Sequence, residues 1–290
     1  MRNAAPTPSQ KTEGRPQVSI GLAQRTAALA WAAAWIAWAT PTEGRAEGLA
    51  VSEIQQIREG TRVFVGGGVV TGFLDFRSSP AYTQASLGFV PTGVLGFQSW
   101  LDETTGFEAF YQGSFLGTLT APVDPLGGAT LGFNLHQLEG HFLYRLFTGP
   151  RLESMAFGLK VGFHLHNTTP SEHTPTILLS TTYFGPSLGA TGRVPFTEWL
   201  ALEAEGGVIL PFYVREAPDR SGLPRDALGF QGGGGLSLRI VPGLYVEPRY
   251  EYRQLQSNFT GTGTRALGKV EQASIFDQYH ALRLDLEWVF

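Results

Sequence analysis

The sequence predicts an all-β fold: a closed, antiparallel, up-and-down transmembrane β-barrel of about ten strands, with eight and twelve as the neighbouring counts. Three observations predict it. Long segments alternate apolar and polar residues with period two, which gives a strand two unlike faces. The connections between those segments alternate between short and long. The composition suits strands and bends, with 37 Gly, 20 Phe and 9 Tyr, and charged residues make up only 16%, against about a quarter in an ordinary soluble domain. A hydrophobic content of 42% fits a barrel in which only alternate residues face lipid.

The chain opens with an address. Arg2, Lys11, Arg15 and Arg25 precede the apolar run Thr26 to Ala39. A positive flank, a short apolar run and small residues after it form a secretory signal peptide, with cleavage expected after Ala39 or after Ala46. The run falls short of the roughly 20 residues that a membrane helix needs. Residues 1–46 are therefore read as signal peptide, 47–60 as a polar lead-in in which Ile54 and Ile57 offer one helical turn, and 61–290 as the barrel.

Ten segments of strand character follow: Arg62 to Phe76, Gly88 to Leu101, Gly106 to Gly117, Thr130 to Phe147, Glu153 to His166, Ile177 to Gly192, Trp199 to Val214, Leu228 to Val241, Leu244 to Gln256 and Ser274 to Phe290. Most exceed the about 9–11 residues that a tilted strand needs to cross a bilayer. Short connections, such as Asp102 to Thr105 and the pair Pro242 and Gly243, carry tight-turn chemistry. Longer polar ones, such as Asn167 to Thr176 and Gln256 to Ala273, place loops on the opposite rim. Trp100, Trp199 and Trp288 all fall at the short-turn rim, the depth of an aromatic girdle.

The faces separate best in the second half. Phe157, Leu159, Val161 and Phe163 oppose Gly158, Lys160 and Gly162, while Leu200, Leu202 and Ala204 oppose Glu203 and Glu205. The first segment is ambiguous, because Gly66, Gly67 and Gly68 blur its faces. In the last segment Leu282, Leu284, Leu286, Trp288 and Phe290 alternate with Arg283, Asp285 and Glu287.

That final pattern, a greasy face ending on a bulky aromatic, resembles the assembly signal of small bacterial outer-membrane β-barrels such as the outer-membrane protein A and W families. The resemblance covers roughly residues 61 to 290. It implies residence in the outer membrane among lipid and lipopolysaccharide. It also implies recognition of the closing strand by the barrel-assembly machinery.

With the apolar face outward, the charged face lines a lumen. Its expected members are Glu108, Glu139, Arg145, Lys160, Glu203, Glu205, Arg239, Glu247, Arg249, Glu251, Arg253, Arg283, Asp285 and Glu287, beside the polar Gln112 and Gln231. The near balance of signs points to mutual pairing that fills and stiffens the barrel. The alternative is a polar constriction on a narrow water path, with inward Gly158, Gly162, Gly207, Gly233 and Gly235 leaving room for water. His164 and His166 are expected near the outer rim with His173, as solvated side chains. Three such histidines, with Ser171, Glu172, Asp219 or Asp277, are also the raw material of a rim active site.

Several classes fall away. With Cys 0 there is no disulfide, thiolate metal site or cysteine nucleophile. A net charge of −4 gives nucleic acid no foothold. The runs Gly66–Gly68 and Gly232–Gly235 lack the Lys-Ser/Thr of a phosphate loop, and no cofactor or metal is expected. The functional expectation is a non-enzymatic membrane barrel, structural or a narrow channel for polar solutes. A rim hydrolase acting on lipid A or peptide, and a soluble exported lipocalin-like barrel, are the alternatives.

Overall fold

The computed structural model describes residues 60–79, 82–114, 116–120, 130–149, 154–170, 179–265 and 268–290, all within one compact unit, Ala50–Phe290. The expected signal peptide, its cleavage sites, most of the lead-in, and Ser171, Glu172 and His173 lie outside the described residues.

The strands are β1 Arg62–Ser79, β2 Tyr82–Trp100, β3 Thr105–Gly113, β4 Gly117–Thr120, β5 Thr130–Phe147, β6 Ala156–Pro170, β7 Ser180–Thr197, β8 Leu200–Ile209, β9 Tyr213–Ala217, β10 Leu223–Val241, β11 Leu244–Thr260, β12 Thr262–Arg265 and β13 Gly268–Val289. Ten of them form a closed antiparallel ring, because β1 pairs with β2 on one side and with β13 on the other. Short β4, β9 and β12 continue the wall toward the loop end, on β2 and β5, on β7, and on β13 respectively.

Local chemistry explains the turns and breaks. Pro242 and Gly243 join β10 to β11, and Gly243 has φ +78°, which costs a glycine nothing. In the turn after β2, Asp102 Oδ1 accepts from the Thr104 and Thr105 amides, each at 2.7 Å, an aspartate fixing its own turn. The expected seventh segment breaks between Ile209 and Tyr213, where Pro211 brings no N–H to the ladder. The expected third segment likewise splits, with β3 ending at Gly113 and β4 starting at Gly117.

The structure differs most from the sequence reading at the loop end. Strands β2, β6, β10, β11 and β13 run past their expected limits, into stretches read as polar loops. The reason is a change of environment within one strand. On β5, Leu138, Phe142, Tyr144 and Leu146 face outward and are exposed, while Leu131, Phe133 and Leu135 face inward and are buried. Outside that upper part stand Asn134 and His136 instead.

The same inversion recurs around the ring. On β13, Leu282, Leu284, Leu286 and Trp288 point out, whereas above them Ile275 and Tyr279 are buried inside with Ser274 and Gln278 outside. On β11, Tyr250 points out, whereas Leu255 and Phe259 are buried inside and Gln254, Gln256 and Asn258 take the outer face. The wall therefore has two bands. The lower one, toward the tight turns, is apolar outside and ionic inside. The upper one is apolar inside, and outside it is polar on β5 and most of β11 and β13, with Phe276 and, on β10, Leu228 and Phe230 as outward apolar side chains beside Gln256 and Gln254. Leu138 to Leu146 gives the lower band a height of roughly 20 Å at a strand tilt of about 40°.

Candidate functional site

The site is the lumen, and its lower half begins with register. Because period-two strands put every second residue inside, Glu108 on β3, Lys160 on β6, Glu205 on β8 and Arg249 on β11 converge from four walls. Lys160 Nζ donates to Glu108 Oε1 at 3.0 Å and to Glu205 Oε2 at 2.9 Å. Arg249 Nη2 donates to the other Glu205 oxygen at 2.6 Å. Arg249 also lies 3.4 Å from Glu247 and 3.6 Å from Glu203. This chain of alternating sign spans the barrel's width. Between ions shielded from water, each contact offsets part of a desolvation cost that would otherwise be several kcal/mol per ion.

A second chain lies along β13. Arg283 reaches Asp285 and Glu251, each at 2.8 Å, and Arg62 reaches Glu287 at 3.0 Å. A third sits at the ceiling. Glu139 accepts from Arg253 at 3.2 Å and faces His164 Nδ1 at 3.1 Å. Gln137 donates to Glu139 and accepts from Arg253. His141 Nε2 lies 3.0 Å from Ser187 Oγ.

Among the expected lumen residues, Glu108, Glu139, Lys160, Glu203, Glu205, Glu247, Arg249, Glu251, Arg253, Arg283, Asp285 and Glu287 join these networks. Arg145 plays another part: its guanidinium carbon sits 3.4 Å above the Trp100 ring, and its Nε donates to the Glu103 carbonyl at 3.0 Å. Trp100 thus faces inward at girdle depth, while Trp199 and Trp288 are exposed outside. Arg239 lies at the turn end of β10, its amide donating to the Trp199 carbonyl at 2.8 Å.

The sequence reading missed Arg62 and Arg193 as lumen partners. Arg62 sits on the strand whose glycines hid its faces, and Arg193 was placed in a turn that is in fact part of β7. Arg193 Nε lies 3.5 Å from Glu203. The inward glycines also differ from expectation, since they make room for neighbouring protein and not chiefly for water. A Cβ at Gly162 would collide with the Gly140 carbonyl, and one at Gly235 would meet Arg249 Cγ at 2.6 Å.

The ionic half encloses a cavity of about 190 Å³, lined by Glu108, Lys160, Glu205, Arg249 and their neighbours, with Trp100, Arg145 and Phe147 at the turn end. Its lining reaches Gln137, Glu139 and Arg253 toward the loop end. Beyond them comes the apolar tier. Val70, Leu87, Val90, Leu119, Phe133, Leu135 and Tyr279 form one buried cluster drawn from five strands. Tyr183, Ile209 and Leu255 form another on the opposite wall, and Phe76, Phe259 and Ile275 a third, with Val214 packed against both.

The histidines lie between the tiers, which corrects their expected place at a wet rim. His164 and His166 are both 0% exposed. Their rings stack 6.0 Å apart, and His166 lies 4.9 Å from Tyr279. Asp277, an expected partner for a rim site, is buried too, 3.4 Å from the Tyr183 hydroxyl. The expected solvated cluster placed β6 too high in the wall; the strand continues to Pro170. Among the described residues, no group of three or more His, Asp or Glu side chains is arranged to hold a metal ion.

No protein-family model matches this chain, and no curated protein matches it. Solved barrels do resemble it. The outer membrane protease OmpT from Escherichia coli is 10% identical, with 84% of this chain and 99% of that one covered and a TM-score of 0.48. The translocator domain of the autotransporter NalP from Neisseria meningitidis is 13% identical over 92% and 98% of the two chains, with a TM-score of 0.40. The outer membrane protein OprG from Pseudomonas aeruginosa is 14% identical over 80% and 97%, with a TM-score of 0.37.

Proposed function

We propose that this chain is an integral β-barrel of the bacterial outer membrane, non-enzymatic, whose lumen is closed and whose role is structural or at the cell surface. The observation that carries the reading is the stacking of the two tiers. Ions tied across the barrel brace the lower half around its cavity, and a buried apolar cluster around Phe133, Leu119 and Tyr279 lies across the upper half.

The lower outer band supports a membrane. Phe142, Phe157, Leu282 and Leu284 would each stand in water on a soluble protein, and contiguous apolar surface of that extent marks contact with another apolar phase. Ring closure supports it as well, because hydrocarbon tolerates no open strand edge. The soluble lipocalin-like alternative requires the opposite facing of the lower band. Of the rim hydrolase's candidate residues, His164, His166 and Asp277 are enclosed, which weighs against that reading. The likeness of β13 to the closing strand of the outer-membrane protein A and W families favours this location. We assign its outward residues Leu282, Leu284, Leu286, Trp288 and Phe290 as the face read by the assembly machinery.

The test is conductance across a planar bilayer. The purified, heat-modifiable barrel is expected to give no stepwise current. Discrete steps from the unaltered chain would overturn the closed-lumen reading in favour of a narrow polar-solute channel.

A further inference from the structure

One wall departs from the two-band pattern. On β10, Phe230 and Leu228 point outward and are exposed, although the residues paired with them on β11, Gln254 and Gln256, belong to the polar band. Leu210 and Phe212, between β8 and β9, and Tyr213, at the start of β9, are exposed on the same wall. Phe212 packs edge-on against Phe184 of β7, ring centroids 5.3 Å apart, and Phe184 stacks on Phe163 of β6 at 5.9 Å. An apolar crest thus rises above the belt over β7 to β10. The flanking strands show Asn167 and Thr169 on one side and Gln254 and Gln256 on the other.

Beneath the crest the outer side chains almost vanish. Register sets two rows across five strands. One reads Leu159, Ala190, Gly206, Gly232 and Tyr252, the next Phe157, Gly192, Ala204, Gly234 and Tyr250. Each row is large at its ends and small over the three middle strands, β7, β8 and β10. The inward glycines of this wall are imposed by the chain itself: a Cβ at Gly207 would meet the Leu188 carbonyl at 2.7 Å. The outward ones are not. A Cβ would meet nothing within 4 Å at Gly192, and nothing closer than 3.8 Å at Gly206 or 3.5 Å at Gly232. Glycine inside a strand costs about 0.5–1 kcal/mol relative to alanine, and no contact within the chain requires that cost here. Such a glycine otherwise marks the close approach of another backbone or a ligand, in this case from outside. Other outward glycines as open as these stand alone, as Gly140, or as the pair Gly67 and Gly93.

We propose that the β7–β10 wall is the contact surface for a second copy of this chain, in a dimer whose two-fold axis runs along the membrane normal. The inference rests on the membrane reading above. Two copies inserted in one membrane share an orientation, so two-fold contact sets small-residue panel against panel and crest against crest at equal height. Barrel walls are convex and touch first along a line. The missing side chains in the middle of each row let the two backbones close up, while Leu159, Phe157, Tyr250 and Tyr252 at the row ends fill the wedges on either side. Association in lipid is driven by such close packing of small residues, because burial from water adds nothing there. The crest selects protein over lipid as the occupant. Acyl chains can cover the panel, but they end at the polar layer, where Phe212, Leu228 and Phe230 still stand exposed. A second copy is the partner that carries a matching apolar crest at that height. Five strands about 4.8 Å apart, over about 25 Å from Leu202 to Phe212, give about 500 Å² on each copy and about 1,000 Å² in all, where specific interfaces begin.

The test is association in lipid. Full chains carrying a donor or an acceptor dye at the amino terminus are mixed in phospholipid vesicles at falling protein-to-lipid ratio, and energy transfer reports pairing. The unaltered chain is expected to show saturable transfer well above that of randomly placed barrels. Gly206→Trp fills the panel and should weaken pairing about tenfold or more, equivalent to about 1.4 kcal/mol of packing. Leu95→Trp, on β2 across the ring, should leave pairing unchanged. The chain has no cysteine, so a second measurement is clean. Gly206→Cys is expected to form a disulfide-linked dimer on oxidation in the vesicles, and Leu95→Cys is not. The cysteine pair decides the matter should Gly206→Trp lack the heat-modifiable fold. Transfer at the random level for the unaltered chain, equal weakening by the two tryptophans, or equal crosslinking by the two cysteines would each overturn the proposal. Extraction of the chain from the vesicles by carbonate would sink the membrane reading and this proposal with it, whereas a retained chain without transfer would sink this proposal alone.

Discussion

Two phenylalanines on one strand provide the sharpest test of the two-band wall. Phe133 and Phe142 both belong to β5, yet Phe133 points inward and is 1% exposed, while Phe142 points outward and is 75% exposed. Phe133 packs in the cluster of Leu119, Leu131, Leu135, Leu87 and Val90. A buried phenylalanine removes about 200 Å² from water, which at about 25 cal/mol per Å² bounds its contribution near 5 kcal/mol. Phe133→Ala loses much of that and leaves a cavity that protein walls cannot fully close, so it is expected to cost about 3–5 kcal/mol. Phe142→Ala loses transfer free energy only, because detergent or lipid flows into the space, and is expected to cost about 2 kcal/mol at most. The assay is urea unfolding of the detergent-folded barrel, followed by tryptophan fluorescence. Equal costs for the two substitutions, or a cost below about 1 kcal/mol for Phe133→Ala, would refute the dry upper tier.

Removing the Glu139 carboxylate by Glu139→Ala strands Arg253 beside the buried His164, and is expected to cost about 3–5 kcal/mol in the same titration. Glu139→Gln, which keeps an acceptor, should recover part of that loss; no difference between the two would argue that the site is fully hydrated. Gly162→Ala drives a Cβ into the Gly140 carbonyl and should abolish the compact, heat-modifiable band on a gel, whereas Gly192→Ala meets nothing within 4 Å and should leave it unchanged. In the turn after β2, donation by the Thr104 hydroxyl, then by the Thr104 and Thr105 amides, holds the Asp102 carboxyl below its ordinary value of 3.8. The sign follows: its contribution is complete above that ordinary value and disappears as pH falls through the lower folded value. The urea midpoint of the unaltered barrel relative to Asp102→Asn should therefore converge below about pH 4, and a gap that persists or widens in acid would contradict this.

The lower band was legible because lipid and ions impose opposite demands on alternate residues. Leu282 to Phe290 and Phe157 to Phe163 announce their faces without help from any neighbour. The upper band was not legible, for a physical reason. There the outward residues face a polar phase, so Asn167 and Thr169 read as loop, and Phe133, Leu135 and Leu255, though within expected strands, were given no face. Period two persists through the inversion, but the identity of the buried parity switches, and a single orientation cannot describe both halves. The glycines of β1 hid Arg62, whose role depends on Glu287 from the far end of the chain. Likewise, nothing local distinguishes a histidine at a wet rim from His166 packed on Tyr279.

The seam has a consequence for how such a molecule is made. Arg62 pairs with Val289, and the Phe290 amide donates to the Thr61 carbonyl at 2.9 Å. The wall's closing hydrogen bonds thus join the residues most distant along the described chain, at a loop-closure cost that grows with the length between them. No fragment lacking either β1 or β13 can complete the circle, and each would carry two raw edges into hydrocarbon. Closure is therefore expected to come late, once both edges are in place to meet.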